Sequence, residues 1–398
     1  MEVMVQLQPE VIQWARETAG LSLEDAARRL GIKDGKAMAA QEKLYRLEKA
    51  GGPFSSSILK KMVKVYRRPM VALFLEKPPL RAETGEDFRT LPQRTTQDEP
   101  LVDALLRDMR ARQEMVKSVL EDDETAPELQ FVGASDIKDG VEKVLRSIEA
   151  ELAISRDAYR EQKSTELAFS YLRTRAEANG IFVVLAGSLG SHHSAIDVSA
   201  FRGFALADKL APFVVINDQD AKQAWSFTLL HEIAHLWIGE SGVSGAYGES
   251  EVERFCNEVA SKFLLDDFEL GALDLVGKDV GEMAERISGF ANERLVSRSL
   301  VSYRLYLAGR LSFDRWQELS ANFQREWREY LERKRALART KVGGPNYFIV
   351  RRHKLGGALL GLVRSSLDEG ALTITKAGKV LGVKPRSVAS LLDLRRVA

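Results

Sequence analysis

The chain has 398 residues, 45 % of them hydrophobic and 29 % charged, with a single cysteine. That is too long for one ordinary core, has the composition of a globular protein, and excludes an intramolecular disulfide framework. No basic-flanked apolar leader is visible and no run nears the roughly eighteen apolar residues of a membrane span, so a cytoplasmic protein with no membrane partner is expected.

The formal net charge of +1 conceals an asymmetry. Residues 1–80 carry 14 Lys/Arg against 9 Asp/Glu, and residues 331–398 carry 15 against 4, which leaves the middle at −15. Basic ends around an acidic centre point to nucleic-acid contact at the ends and a different role between them.

Residues 9–19 read as a helix with Ile12, Trp14, Ala15 and Ala19 on its apolar side and Gly20 at its end. Ser22, with Asp25 three positions on, is an N-cap for a second helix, Leu23–Leu30, which Gly31 closes. A third helical stretch, about Lys36–Lys49, carries Lys36, Lys43, Arg46 and Lys49. Short helices joined by a glycine turn are the helix-turn-helix arrangement, whose later helix enters the major groove. These four cations are therefore candidate contacts to duplex DNA. Pro53–Phe74 adds further helices, and Arg89–Pro100 reads as a linker. Leu101–Glu121 is a charged amphipathic helix, followed by helical segments over about Ala134–Ile154 and Ala158–Asn179.

Strands follow at Ile181–Leu185, Phe201–Ala205 and Phe213–Ile216. His192 and His193, in the loop after the first strand, can reach a cleft to stabilise an oxyanion, although paired loop histidines are most often simply solvated. The stretch Thr228–Trp237 then contains His231-Glu232-Ile233-Ala234-His235 in an apolar setting. On a helix, residues four apart sit one above the other, so His231 and His235 offer two nitrogen ligands to one tetrahedral zinc. Glu232 projects beside them, placed to take a proton from an attacking water.

A catalytic zinc takes a third protein ligand and keeps an open position. After a glycine-rich loop, Gly239–Gly248, a helix beginning near Glu249 supplies the candidates. Glu253 shares a face with Cys256 and Asn257 and can look inward; Glu249 shares that face at the fraying end, whereas Glu251 and Glu258 lie on another. Glu253 is the expected ligand, and Asn257 can orient a ligand histidine through its side-chain carbonyl. Helical patterns continue over Val280–Arg310 and Leu311–Ala338, the latter with Trp316, Phe323, Trp327 and Tyr330 spaced for one buried side.

The C-terminal region repeats the beginning of the chain. Leu21–Ile32 aligns without gaps to Leu372–Val383: cap residue, buried Ala, Leu-Gly turn and following β-branched residue coincide. Pro385 then opens a helix over Arg386–Leu394. A second helix-turn-helix-like unit is expected there, able to bind DNA or protein.

Three stretches, Phe201–Phe204, Pro212–Asn217 and Phe227–His235, resemble the ImmA/IrrE family of zinc metallopeptidases. Glu253–Ala260 resembles that family's second helix, in which a Glu precedes a small residue and Asn. The resemblance covers roughly residues 165–310. It implies a zincin-like core with Zn2+ bound by His231, His235 and Glu253, and with Glu232 as general base. Cys256 departs from the family, where Ala is frequent, and the Met-Pro that often closes the helix is missing at Leu264-Leu265. Residues 1–80, with Tyr66-Arg67-Arg68-Pro69, resemble the Xre-type helix-turn-helix domains that often precede this family, although Lys33–Gln41 looks inserted.

The expected fold is mainly α with a small α+β core of about three strands plus the zinc helix, flanked by helix-turn-helix units. The expected divisions fall at residues 1–80, 81–160, 161–310 and 311–398. The resemblance implies a zinc-dependent endopeptidase acting on a protein substrate, a transcriptional repressor, with duplex DNA as a further partner. A DNA-binding regulator whose zinc is structural or sensory, with Cys256 closing the site, is the alternative; an antitoxin-like partner protein without turnover is another.

Overall fold

The computed structural model describes residues 4–35, 37–79, 99–123, 126–190, 194–240, 242–244, 251–340 and 346–393. Two units are distinguished, one formed by residues 1–109 with 188–200 and the other by residues 110–187 with 201–398.

In the first unit a short strand β1 (Met4–Val5) precedes helices α1 (Pro9–Glu17), α2 (Leu23–Leu30) and α3 (Ala40–Ala50). Strand β2 (Phe54–Ser55), α4 (Ser56–Val65) and a 3-10 turn at Met70–Phe74 follow, and β1 pairs with β2 antiparallel. The Ser22 hydroxyl accepts from the Asp25 N–H at 3.1 Å, and Gly31 closes α2 in the left-handed region at φ 76°, which glycine adopts at no steric cost. Ile12, Ala26, Leu30, Leu44 and Met62 fill the core. Beside them Arg16 donates to Glu48 at 2.9 Å, and burial still holds the Glu48 carboxyl above its ordinary range.

The third helix starts at Ala40, not near Lys36. Asp34 draws the chain into a loop by accepting from the Ala40 N–H at 2.7 Å, and Lys43 Nζ donates to the Lys33 carbonyl at 2.8 Å. A short acid that bonds backbone locally competes with helix propagation. Lys36, like most of the Arg89–Pro100 linker, lies outside the described residues. Helix α5 (Glu99–Asp122) runs from the first unit into the second.

Besides the expected break after Ile154, the helical pattern over 134–179 is interrupted near its start and again before Thr165. A 3-10 turn at Ile137–Asp139 leads to α6 (Val141–Leu152), α7 (Arg156–Arg160) and α8 (Thr165–Ala178). Ser155 and Ser164 each interrupt the run as N-caps, accepting from the Ala158 and Leu167 N–H groups at 3.2 Å.

Strands β3 (Phe182–Leu185), β4 (Gly203–Leu206), β5 (Phe213–Ile216) and β6 (Gly242–Ser244) form one mixed sheet in the order β3-β5-β4-β6. The sheet thus has four strands, the fourth arising within the stretch expected to be a glycine-rich loop. β3 and β5 run parallel; β4 is antiparallel to both of its neighbours. Every residue of β3, β4 and β5 is buried, which is why these strands read as unbroken apolar runs rather than alternating ones. Helix α9 (Lys222–Trp237) packs on β4 and β5, with α8 and α10 (Glu251–Leu264) against it. Trp237 anchors its end by stacking on Phe131 at 4.4 Å between centroids and donating to Ser147 Oγ at 3.1 Å.

Helices α11 (Asp267–Gly271), α12 (Val280–Glu293), α13 (Arg298–Leu307) and α14 (Phe313–Thr340) close over this core. The aromatic residues of α14 do not share one buried side. Phe323 is buried and Trp316 stacks on Tyr306, but Tyr330 is 49 % exposed and stacks on Trp327. Periodicity gives the face of a helix but not how far along it a neighbour extends.

The last helices are α15 (Tyr347–Leu355), α16 (Gly357–Asp368) and α17 (Ile374–Val380), then a 3-10 turn (Pro385–Ser387) and α18 (Val388–Leu391). The terminal helix is shorter than expected because Asp393, at φ 52°, turns the chain out of it. The repeat holds at the level of individual hydrogen bonds. Ser22 caps the Asp25 N–H as Thr373 caps that of Lys376. The Ile32 N–H reaches the Ala27 carbonyl at 2.9 Å as that of Val383 reaches Gly378 at 2.8 Å, and Gly31 and Gly382 both take positive φ. This C-terminal group is seated on the core beside α8 and β3. Arg173 Nη1 donates to the His353 carbonyl at 2.6 Å, the Gly357 N–H donates to Glu177 at 2.8 Å, and Lys354 pairs with Asp218 at 2.5 Å. No described helix is long and apolar enough to cross a membrane.

Candidate metal centre

Helix α9 owes its burial to its sequence: Leu229, Leu230, Ile233, Ala234 and Leu236 surround the polar residues on all sides. His231 is 3 % exposed, His235 2 % and Glu232 0 %. Four-residue spacing brings the two imidazoles together, with Nε2 of His235 3.1 Å from Nε2 of His231. From α10, Glu253 lays its carboxylate across both: Oε2 is 3.2 Å from His231 Nε2, and Oε1 is 3.2 Å from His235 Nε2.

These three residues form a group whose ligand atoms lie within 4.8 Å of one another. A tetrahedron with metal–ligand bonds of about 2.0–2.1 Å has edges of about 3.3 Å. The separations of 3.1 and 3.2 Å match those edges. Two imidazole nitrogens and a carboxylate, converging with almost no solvent exposure, fit a borderline-soft divalent cation such as zinc.

The electrostatics agree with a site built for a cation. Burial opposes charge on Glu253, yet hydrogen bonds from His231 and His235 hold its carboxyl far below the ordinary range. Burial holds His231 below its usual value. His235 is also buried, but contact with Cys256, Glu253 and Glu232 raises it well above the usual value.

The competitors separate cleanly. Glu251 is exposed, Glu258 faces Lys262 at 3.9 Å, and Glu249 lies outside the described residues, as do His192 and His193. Asn257, one turn beyond Glu253, raises the His231 pKa a little against the larger effect of burial. Cys256 is fully buried and its thiol, pushed up by burial, contacts His235, but it is not a member of the three-residue donor group. On the first unit, Lys43 is bonded to the Lys33 carbonyl, Arg46 pairs with Glu42 at 3.0 Å and Lys49 lies over the Tyr45 ring.

One residue with a part in the site was not singled out from the sequence. Gly203, the first residue of β4, lies directly against Glu232: a Cβ there would stand 2.7 Å from Glu232 Oε1 and 2.6 Å from Thr228 Cγ2. The signal in the sequence was a glycine opening an otherwise apolar strand, a mark of close backbone approach. Asn217 supports the same edge, donating to the Phe201 carbonyl at 3.0 Å.

Searches among curated proteins and among solved structures gave no match to this chain. Residues 180–306 match the family model Peptidase_M78, described as an IrrE N-terminal-like domain. The matched stretch contains α9, α10 and the whole sheet, and it supports a metallopeptidase-type function for the site that His231, His235 and Glu253 form.

Proposed function

We propose that the protein is a zinc-dependent endopeptidase that cleaves another protein, a transcriptional repressor, while helix-turn-helix units tether it to duplex DNA. The convergence of His231, His235 and Glu253 beside the buried Glu232 carries the peptidase part. Three protein donors among the described residues leave a fourth coordination position for substrate, which favours a catalytic over a closed structural site. When bound, zinc supplies Lewis acidity, polarising the scissile carbonyl and lowering the pKa of water toward ~7.

The chain's own residues do the rest. Glu232 accepts the proton of the attacking water and returns it to the leaving amine. Its burial excludes bulk water, and the backbone of β4 at Gly203 limits its movement. Asn257, one turn beyond Glu253, is the side chain assigned to orient a ligand histidine. The repressor as substrate comes from the family resemblance, and tethering from the charge of the two ends. The test is incubation of the metal-loaded protein with a helix-turn-helix repressor protein as substrate. Cleavage by the wild type and not by Glu232→Gln is the expected result; cleavage by neither removes that substrate.

A further inference from the structure

We propose that the C-terminal copy of the repeat, rather than the N-terminal one, is the surface that binds duplex DNA. The inference rests on the tethering part of the proposed function and is independent of the peptidase part. The two copies share a backbone frame but not a charge pattern. Residues 21–50 carry seven Lys/Arg against five Asp/Glu, whereas residues 371–392 carry Lys376, Lys379, Lys384 and Arg386 and no acid at all. Where α2 has Glu24 and Asp25, α17 has Thr375 and Lys376.

Ion pairing follows suit. In the N-terminal copy Arg28 pairs with Asp25 and Arg46 with Glu42, and Lys43 is turned back onto its own loop. In the C-terminal copy all four cations are exposed, and none forms an ion pair with a described residue. Affinity for a polyanion grows with the number of phosphates neutralised, and a neighbouring carboxylate offsets part of that gain for Arg28 and Arg46, while Arg29, Lys33 and Lys49 are exposed.

Geometry separates the copies as well. Residues 381–384 join α17 to the next helical element, a turn of the length that helix-turn-helix units use, whereas residues 31–39 separate α2 from α3. Lys384 and Arg386 flank Pro385 at the start of that second element, where groove contacts are made, and Ser390 is exposed on α18, which follows it. Lys376 and Lys379 project from the preceding helix, in position for phosphates. The arginines within the frame serve the fold instead, since Arg351 and Arg364 donate to the Leu381 and Leu392 carbonyls and hold the unit together. Because α15 and α16 are seated on Arg173, Glu177 and Asp218, the DNA-facing surface is carried by the same unit as the metal centre.

The test is fluorescence anisotropy of the full-length chain on a random-sequence duplex across a salt series. The proteins compared are wild type, Lys384→Ala with Arg386→Ala, Lys376→Ala with Lys379→Ala, and Arg46→Ala with Lys49→Ala. Each contacted phosphate adds ~0.9 to the slope of log affinity against log salt. Each C-terminal pair should therefore lower the slope by up to ~1.8, with the thermal melting temperature unchanged, while the N-terminal pair leaves it at the wild-type value. A slope lowered only by the N-terminal pair overturns this assignment but preserves tethering. Absence of salt-dependent binding by wild type overturns both. If the C-terminal pairs leave the DNA slope intact yet abolish binding to a polyglutamate peptide, the surface is a protein-docking face and the proposal is wrong.

Discussion

Replacing Gly203 with alanine probes the metal centre from a strand that contributes no functional side chain. The added methyl would sit 2.6 Å from Thr228 Cγ2 and 2.7 Å from Glu232 Oε1, whereas ordinary contact begins near 3.4 Å, so β4 and α9 must part by about 0.7 Å. Overpacking of this kind typically costs about 1–3 kcal/mol, a fall of roughly 2–10 °C in melting temperature for a unit of this size. The displaced group is the proposed base, and a misplacement near 1 Å can cost ~100-fold in rate. Calorimetry and cleavage of the protein substrate should therefore both register Gly203→Ala, with metal content retained. Adding Thr228→Ala removes one of the two close contacts and should restore part of the stability, but little of the rate, because the contact with Glu232 remains. A Gly203→Ala protein with wild-type melting temperature and rate would refute the close approach between β4 and Glu232.

Three further outcomes are expected. His231→Ala and His235→Ala should each abolish stoichiometric metal by elemental analysis; full retention in both would falsify the site. Cys256→Ala should keep both metal and activity, because the thiol lies outside the donor group; loss of metal in that variant with retention in Glu253→Ala would reassign the third ligand. Glu177→Ala leaves the Arg173 guanidinium, 8 % exposed, without its carboxylate and removes the acceptor for the Gly357 N–H. Loss of one partner of a buried pair costs about 3–5 kcal/mol, so chemical denaturation should show a much earlier transition, and an unshifted midpoint would mean that the C-terminal helices do not depend on this seat.

Much of the metal centre was legible because its chemistry depends on spacing within helices. Four residues on α9 bring His231 and His235 to one face, and the three- and four-residue relation of Glu253 to Cys256 and Asn257 turned it inward. The repeat of Leu21–Ile32 at Leu372–Val383 was equally readable, since cap, turn and buried alanine each impose a local hydrogen bond. What escaped depends on neighbours. Gly203 matters through its distance to Glu232, which is a tertiary relation. Strand β6 is three residues, Gly242–Ser244, recruited by β4 from a segment with no strand pattern of its own. Ser164 breaks a helical periodicity that the apolar residues alone would carry through. The aromatic stripe of α14 continues to Tyr330, but burial stops near Phe323, beside Arg298 at the start of α13.

The central claim is that this chain uses a metal held by His231, His235 and Glu253 with Glu232 as its base. Its most direct test is a paired measurement on Glu232→Gln: metal content by elemental analysis, and cleavage of the repressor-like substrate beside the wild type. Glu232 is not a ligand, so the variant should hold one equivalent of metal and melt as the wild type does, yet cleave at least ~100-fold more slowly. A variant that retains its metal and cleaves at the wild-type rate would contradict the account.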